Sequence, residues 1–356
     1  MSDRRVVITG RGVFSPLGCD WPAFAEAIRA ARKAPLAQFP GVLPDDPVPY
    51  HPLAVDPAEA SPRAEPMSAL VTAAVGAALA EAGIACSSGP LDDVGLVAST
   101  AFGPSGAAES YLETLLAKGP RAARPALFVD TLVSMPASRT GIALGLRGST
   151  AALGGSDPFE VALTWLRQGR EHTIVAGGGD YLSAKSVRHH RQLARRSGAE
   201  RARLAQGAGF LVLEEAEHAG QRRARAFGEV LGAWGASEPQ AVAVPWSNDA
   251  SGCAFAAAMR GALADAGLTP GDVSLVSLAA GDDASEGGEL AAVLEVFEAT
   301  PALLRPKRLL GEALGASGSL SALAALAALE GAGGVALVNG FEMGGAVSSA
   351  VIRVTR

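Results

Sequence analysis

Short apolar runs alternate with amphipathic stretches along most of this chain. Residues 6–10 are β-branched and apolar and end in glycine, which predicts a buried strand. Residues 20–28 follow as a helix, with Asp20 placed to cap it and Pro22 near its start. The pattern predicts a helix over 69–82, a strand over 94–99, a helix within 101–126, a helix over 159–167 and a strand over 173–179. Further short strands are predicted at 210–213 and 227–234. The Pro- and Asp-rich stretch 34–65 reads as surface loop, and 150–155, with its two glycines, as a turn.

Parts of this pattern occur twice. Residues 76–84 read GAALAEAGI and lead into DVGLVAS at 93–99. Residues 261–268 read GALADAGL and lead into DVSLVS at 272–277. Gly155-Ser156 then opens a helical stretch that leads into 173–178, and Gly318-Ser319 opens another that leads into 335–340. Matched helix–strand units in the same order imply a duplication, with the second copy under way near Ser251. Helices alternating with short buried strands predict α/β layers, and no low-complexity linker separates the copies, so a single rigid body is expected.

Composition narrows the function. The 356 residues are 49 % hydrophobic but only 5 % aromatic, which suits a large core of small side chains. A formal net charge of −6 lacks the basic footprint of a nucleic-acid protein. The first ten residues lack the apolar stretch of a signal peptide. No uncharged apolar run approaches the length of a membrane span, because Glu330 and a glycine cluster stop the one over 320–329. Cys19, Cys86 and Cys253 are isolated and lack metal-ligand spacing, which suits structural thiols in a cytoplasmic protein. His189-His190 has too few neighbouring ligands for a metal site. The glycines at 177–179 and 344–345 do not fit a dinucleotide fingerprint and read as tight turns, so no cofactor is expected.

Five segments together carry a resemblance. They are residues 6–18, 145–148, the Ala-Gly-Gly strand end at 176–180, the strand-to-helix stretch 207–218, and the Gly-rich loop 339–345. In this order they resemble the β-ketoacyl synthase (ketosynthase) family, over essentially the whole chain. The resemblance implies a thiolase-like fold with α-β-α-β-α layers and two duplicated halves, 1–222 and 223–356. Active members of that family carry an acyl thioester on a cysteine at a helix N-terminus, where the thiolate is stabilised. Two histidines then support decarboxylation and carbanion attack.

Matched position by position, all three groups are replaced. Counting back from Gly169 puts Ala152 at the cysteine. The strand ending at Leu278 leads into Ala279-Ala280-Gly281, with Ala280 at the first histidine. Lys307 is retained, and Glu312 stands at the second histidine. Residues 150–158 also resemble the emptied site of chain-length factors, the inactive ketosynthase paralogues of type II polyketide systems, although those usually carry Gln where this chain has Ala152. The segment before Ala152 is a few residues shorter than in typical members, and this strand usually pairs across the family's dimer. The gating loop carries Phe341, Met343, Gly344 and Gly345, with Met343 where phenylalanine is usual.

An alanine can neither attack a carbonyl nor move a proton. The resemblance therefore implies a chain-length-factor-like subunit with no intrinsic condensing activity. It would pair with an active ketosynthase in polyketide, polyene or fatty-acid-like elongation. Phe128, Leu132 and Met135 would lie near the interface and its acyl tunnel. The basic run holding Arg188, Arg191, Arg195 and Arg196 reads as a solvated face or as a docking site for an acidic acyl carrier protein. A second reading is a divergent enzyme, a decarboxylase or hydrolase, using Glu312, Asp282 or Ser156. Ser156 itself suits a helix cap better than a nucleophile, having no histidine partner in sequence. A third is a non-enzymatic acyl- or carrier-binding module.

Overall fold

A computed structural model describes residues 4–40, 47–60, 64–86, 89–155, 157–197, 202–239, 241 and 250–356. Strand β1 (Val6–Phe14) lies near the middle of a ten-stranded sheet. On one side of it follow β7 (Gly207–Glu215), β6 (Thr173–Asp180), β4 (Val94–Thr100) and β5 (Thr150–Gly154), in that order. On the other side follow β8 (Gly228–Ser237), β12 (Ala346–Val354), β11 (Gly334–Phe341), β9 (Leu275–Ser277) and β10 (Ala302–Leu304).

Numbered within each half, both sides have the strand order 1-5-4-2-3. In each, the fifth strand is antiparallel to both its neighbours and the others pair in parallel. The halves meet where β1 runs antiparallel to β8, with Val6 opposite Val230. The duplication read from the helix–strand repeats is thus a repeat of whole five-stranded units. It begins at β8, earlier than the repeat near Ser251.

Two helices lie between the halves. Pro158–Arg167 contacts β6 and β4 of one half and β8 of the other. Ser317–Leu329 contacts β11 and β12 as well as β7, β6 and β1. The second helix is buried nearly all round, which explains its uniformly apolar sequence. Outer helices cover the sheet at corresponding places. Pro66–Glu81 packs on β1, and Cys253–Ala266 packs on β8. Glycines permit both approaches: a Cβ on Gly12 would lie 1.9 Å from the Ala74 carbonyl oxygen, and one on Gly232 2.6 Å from that of Ala262.

Two stretches depart from the sequence expectations. Residues 34–65 hold a small antiparallel pair, β2 (Ala37–Phe39) with β3 (Val48–Tyr50), and a short helix, Pro57–Ala60. Its edge-on Phe39–Tyr50 contact comes from separated aromatics that no local period reveals. Residues 150–154 are the edge strand β5 rather than a turn, because they pair in parallel with β4, Ala152 opposite Ala98. Parallel pairing is long-range, so the glycines alone misled.

Candidate functional site

β5 ends at Gly154, and the helix Pro158–Arg167 starts under a cap in which Asp157 accepts the Phe159 N–H at 2.7 Å. Ala152 therefore sits in mid-strand, several residues before the helix start, and not at the helix N-terminus where the count placed it. Pro158 suits a first helical position and disfavours helical backbone at the residue before it, which sets the helix start there. Ser156 lies outside the described residues. The cap is supplied by Asp157.

Ala280 is 1 % exposed, just beyond β9. Its N–H and that of Ala279 both donate to the Glu289 carboxylate at 2.8 Å. Glu289 also accepts from Asn339 Nδ2 at 2.8 Å, and Asn339 Oδ1 accepts from the Ser349 hydroxyl at 2.7 Å. This buried network braces the turn from the helix and strands behind it. Burial pushes the Glu289 carboxyl up, against the pull of these donors and of Lys307.

Lys307 and Glu312 form a buried ion pair at 2.6 Å. The other Glu312 oxygen accepts from the Leu314 N–H at 2.9 Å and the Ser317 hydroxyl at 2.7 Å. Glu312 is thus ion-paired and buried. Asp282 caps the helix Asp283–Val296 by accepting from the Ser285 N–H at 2.9 Å. Lys307, Glu312 and Asp282 share the lining of one small cavity with His190 and Phe341. The basic run thus brings His190, weighed in the sequence only as a metal ligand, beside the Lys307–Glu312 pair.

Three further carboxyls converge nearby. Asp180, at the end of β6, accepts from the Thr100 hydroxyl at 2.7 Å, the Ala101 N–H at 2.8 Å and the Gly315 N–H at 2.7 Å. Burial, which these donors only partly offset, pushes its pKa up to about 6. Asp157 is likewise pushed by burial to about 6. Glu342, in the loop after β11, is pushed up to about 8, by burial first and then by Glu312, Asp180 and Asp157, against the pull of Lys307. Sequence reasoning missed all three and Glu289. Asp157 before a proline at a helix start was legible as a cap; the others show no local signal.

At the end of β11 and in the Gly-rich loop after it, Phe341 is buried edge-on to Phe255, Met343 packs beside the same cluster, Gly344 is exposed, and Gly345 has φ +92°. Phe128 and Leu132 are exposed, at 49 % and 41 %, and Met135 starts the helix Met135–Leu144 half-buried. Phe128 packs on Tyr111. Nine of the thirteen large apolar side chains exposed among the described residues fall between Phe102 and Ile142. That concentration is more than scattered exposure.

Arg188, Arg191 and Arg195 lie on the helix Ala184–Ser197 at spacings of three and four, on one face; Arg188 and Arg195 are exposed and Arg191 is half-buried. Arg196 follows on the same helix, and its side chain lies outside the described residues. None of the three cysteines lines the cavities at the strand–helix junction or beside Lys307. Among the described residues no group of three or more metal-ligating side chains gathers, and no helix is long and apolar enough to cross a membrane.

Comparison with known proteins places this geometry. The model of the β-ketoacyl synthase N-terminal domain matches residues 3–219, and that of the C-terminal domain matches residues 239–339. A 3-oxoacyl-[acyl-carrier-protein] synthase 2 of Vibrio harveyi is 30 % identical over 90 % of this chain and 85 % of its own length. Nodulation protein E of Rhizobium meliloti (strain 1021) is 28 % identical over 83 % of this chain and 78 % of its own. A solved structure titled the ishigamide ketosynthase/chain length factor superposes with TM-score 0.85 at 21 % identity, over 99 % of this chain and 100 % of the other. One titled AntDE:AntF, a type II polyketide acyl-carrier protein in complex with its ketosynthase, gives TM-score 0.84 at 20 % identity over the same shares. The fold is thiolase-like, and the chain belongs to the β-ketoacyl synthase family.

Proposed function

We propose that this chain is a catalytically silent ketosynthase-like subunit that pairs with an active ketosynthase, in the manner of a chain-length factor. The observation that carries this reading is the strand–helix junction. Its cavity is lined by Asp157, Ser319 and Glu342, with no thiol and no imidazole. The turn after β9 carries Ala280, and Glu312 is committed to Lys307, Leu314 and Ser317. A covalent acyl route needs its nucleophile, and general acid–base help typically adds about 10²- to 10⁴-fold. These residues supply neither in the family's way.

The exposed apolar side chains between Phe102 and Ile142, beside β5, whose outer edge meets no further strand among the described residues, support a protein interface on this face. The active ketosynthase is the occupant proposed. Phe128, Leu132 and Met135 would then help wall an acyl tunnel, and the face with Arg188, Arg191 and Arg195 would meet an acidic acyl carrier protein, speeding encounter at low salt. The same reading divides the chain at 1–222 and 223–356, which is supported by β1–β7 falling in the first part and β8–β12 in the second.

The purified chain alone is expected to show no malonyl condensation, and co-expression with a ketosynthase encoded beside it is expected to yield a one-to-one complex by native mass spectrometry. Robust turnover by the chain alone would overturn the reading. In the reconstituted pair, Leu132→Ala or Met135→Ala is expected to lengthen the product by at least one extension unit, because a truncated wall relieves overpacking. Product masses unchanged in both variants would remove these side chains from the tunnel.

The reading as a divergent enzyme has less support at the residues first considered. Glu312 is saturated by three partners, and Asp282 is spent on a helix cap.

A further inference from the structure

The cavity at the strand–helix junction has a volume of about 20 Å³, room for one water-sized occupant. Asp157, Ser319 and Glu342 line it. Ser319 is 1 % exposed, and its hydroxyl oxygen is buried with no hydrogen-bond partner among the described residues. A buried hydroxyl without a partner is costly and calls for an explanation. Here that explanation must fit the surrounding charge. Asp157, Asp180, Glu312 and Glu342 all act on this small region, and the cation set against them, Lys307, is already held by Glu312 at 2.6 Å. Asp180 is filled by its hydroxyl and N–H donors. Burial holds Asp157 and Glu342 toward their protonated forms, so once ionised they bring uncompensated negative charge to a cavity whose unfilled group is another oxygen.

We propose that this cavity binds one monovalent metal cation, Na⁺ or K⁺, through the Asp157 and Glu342 carboxylates and the Ser319 hydroxyl. The donors are all hard oxygens, which select hard cations. Magnesium usually keeps several of its waters, and a space for one water-sized body cannot hold them. The cation links three elements: the start of the helix Pro158–Arg167, the start of the helix Ser317–Leu329, and the loop after β11. It thereby ties the gating loop to both central helices. The site stands whether or not the chain pairs with a ketosynthase.

The test is thermal unfolding of the full chain at fixed ionic strength and a fixed pH above about 8, where both carboxyls ionise, in NaCl, KCl, MgCl₂ or tetramethylammonium chloride, the last cation being too large to enter. The expected result is a Tm about 3–5 °C higher in NaCl or KCl than in tetramethylammonium chloride, saturating with concentration as ligand linkage requires. Ser319→Ala is expected to raise the half-saturating salt concentration at least threefold while the chain stays folded. Asp157→Asn combined with Glu342→Gln is expected to abolish the ion-specific difference. A rubidium soak should place an anomalous peak in the cavity. Equal Tm in all four salts would overturn the proposal and leave a water or a shared proton there. So would an ion-specific shift that survives the double substitution. A larger shift in MgCl₂ would overturn the monovalent assignment.

Discussion

Lys307→Ala is expected to lower stability by about 3–5 kcal/mol, read as an earlier denaturant midpoint at unchanged slope. The ammonium is buried and lies 2.6 Å from an equally buried Glu312. Removing it leaves that carboxylate without its counter-charge and takes away a cation that also favours the ionised forms of Glu289 and Glu342. The pair itself is a different matter, because desolvating two ions offsets most of their attraction. Lys307→Met with Glu312→Gln is therefore expected to cost far less than the sum of the single changes. The glutamine oxygen can still accept from the Leu314 N–H and the Ser317 hydroxyl. A double-mutant cycle measures this, with an expected coupling of at least about 2 kcal/mol. Additive single effects would show that the two charges do not depend on each other.

Asp180→Ala is expected to destabilise on a similar or larger scale, by roughly 3–9 kcal/mol, since it leaves the Thr100 hydroxyl and the Ala101 and Gly315 N–H groups without their acceptor, at about 1–3 kcal/mol each. Asp180→Asn separates the charge from the shape. The native carboxyl has a pKa of about 6 against an ordinary 3.8, so folding favours its protonated form. Its contribution is fully present below about 3.8 and is lost as pH rises through 6. Asparagine cannot ionise. The stability deficit of Asp180→Asn relative to the native chain is therefore expected to shrink by about 3 kcal/mol between pH 4 and pH 8, at about 1.4 kcal/mol per unit. A deficit constant across that range would mean that Asp180 does not titrate there.

The family frame was legible before any fold was known, and the expectations that the structure corrects share one cause. Ala280 was placed by a strand and a glycine close to it in sequence, and the structure sets it directly after β9, in a turn bounded by Gly281. Ala152 was placed by counting across a segment of altered length. The count could not show that Ala152 lies inside a strand: parallel pairing with β4 and the fixed backbone of Pro158 set the strand and the helix start, and the pairing acts outside the local pattern. The carboxyls were least legible. Asp180 meets Gly315 from a strand end 135 residues away, and Glu289 meets Asn339 across 50 residues.

The sequence by itself determined the α/β class, the duplication and the family. Apolar periodicity and repeated helix–strand units are local properties of the chain, and family segments in a fixed order are read along it. Anchors within a few residues also led it to predict Ala280 and Glu312 in place of the family's two histidines. Only the tertiary structure decided that the repeat is a five-strand unit joined through β1 and β8, that Ala152 belongs to an edge strand, and that Asp157, Ser319 and Glu342 share one cavity. The physical reason is the same in each case. Strand pairing and burial of charge depend on which distant segments meet, and the free energy that selects those meetings is spread over the whole core.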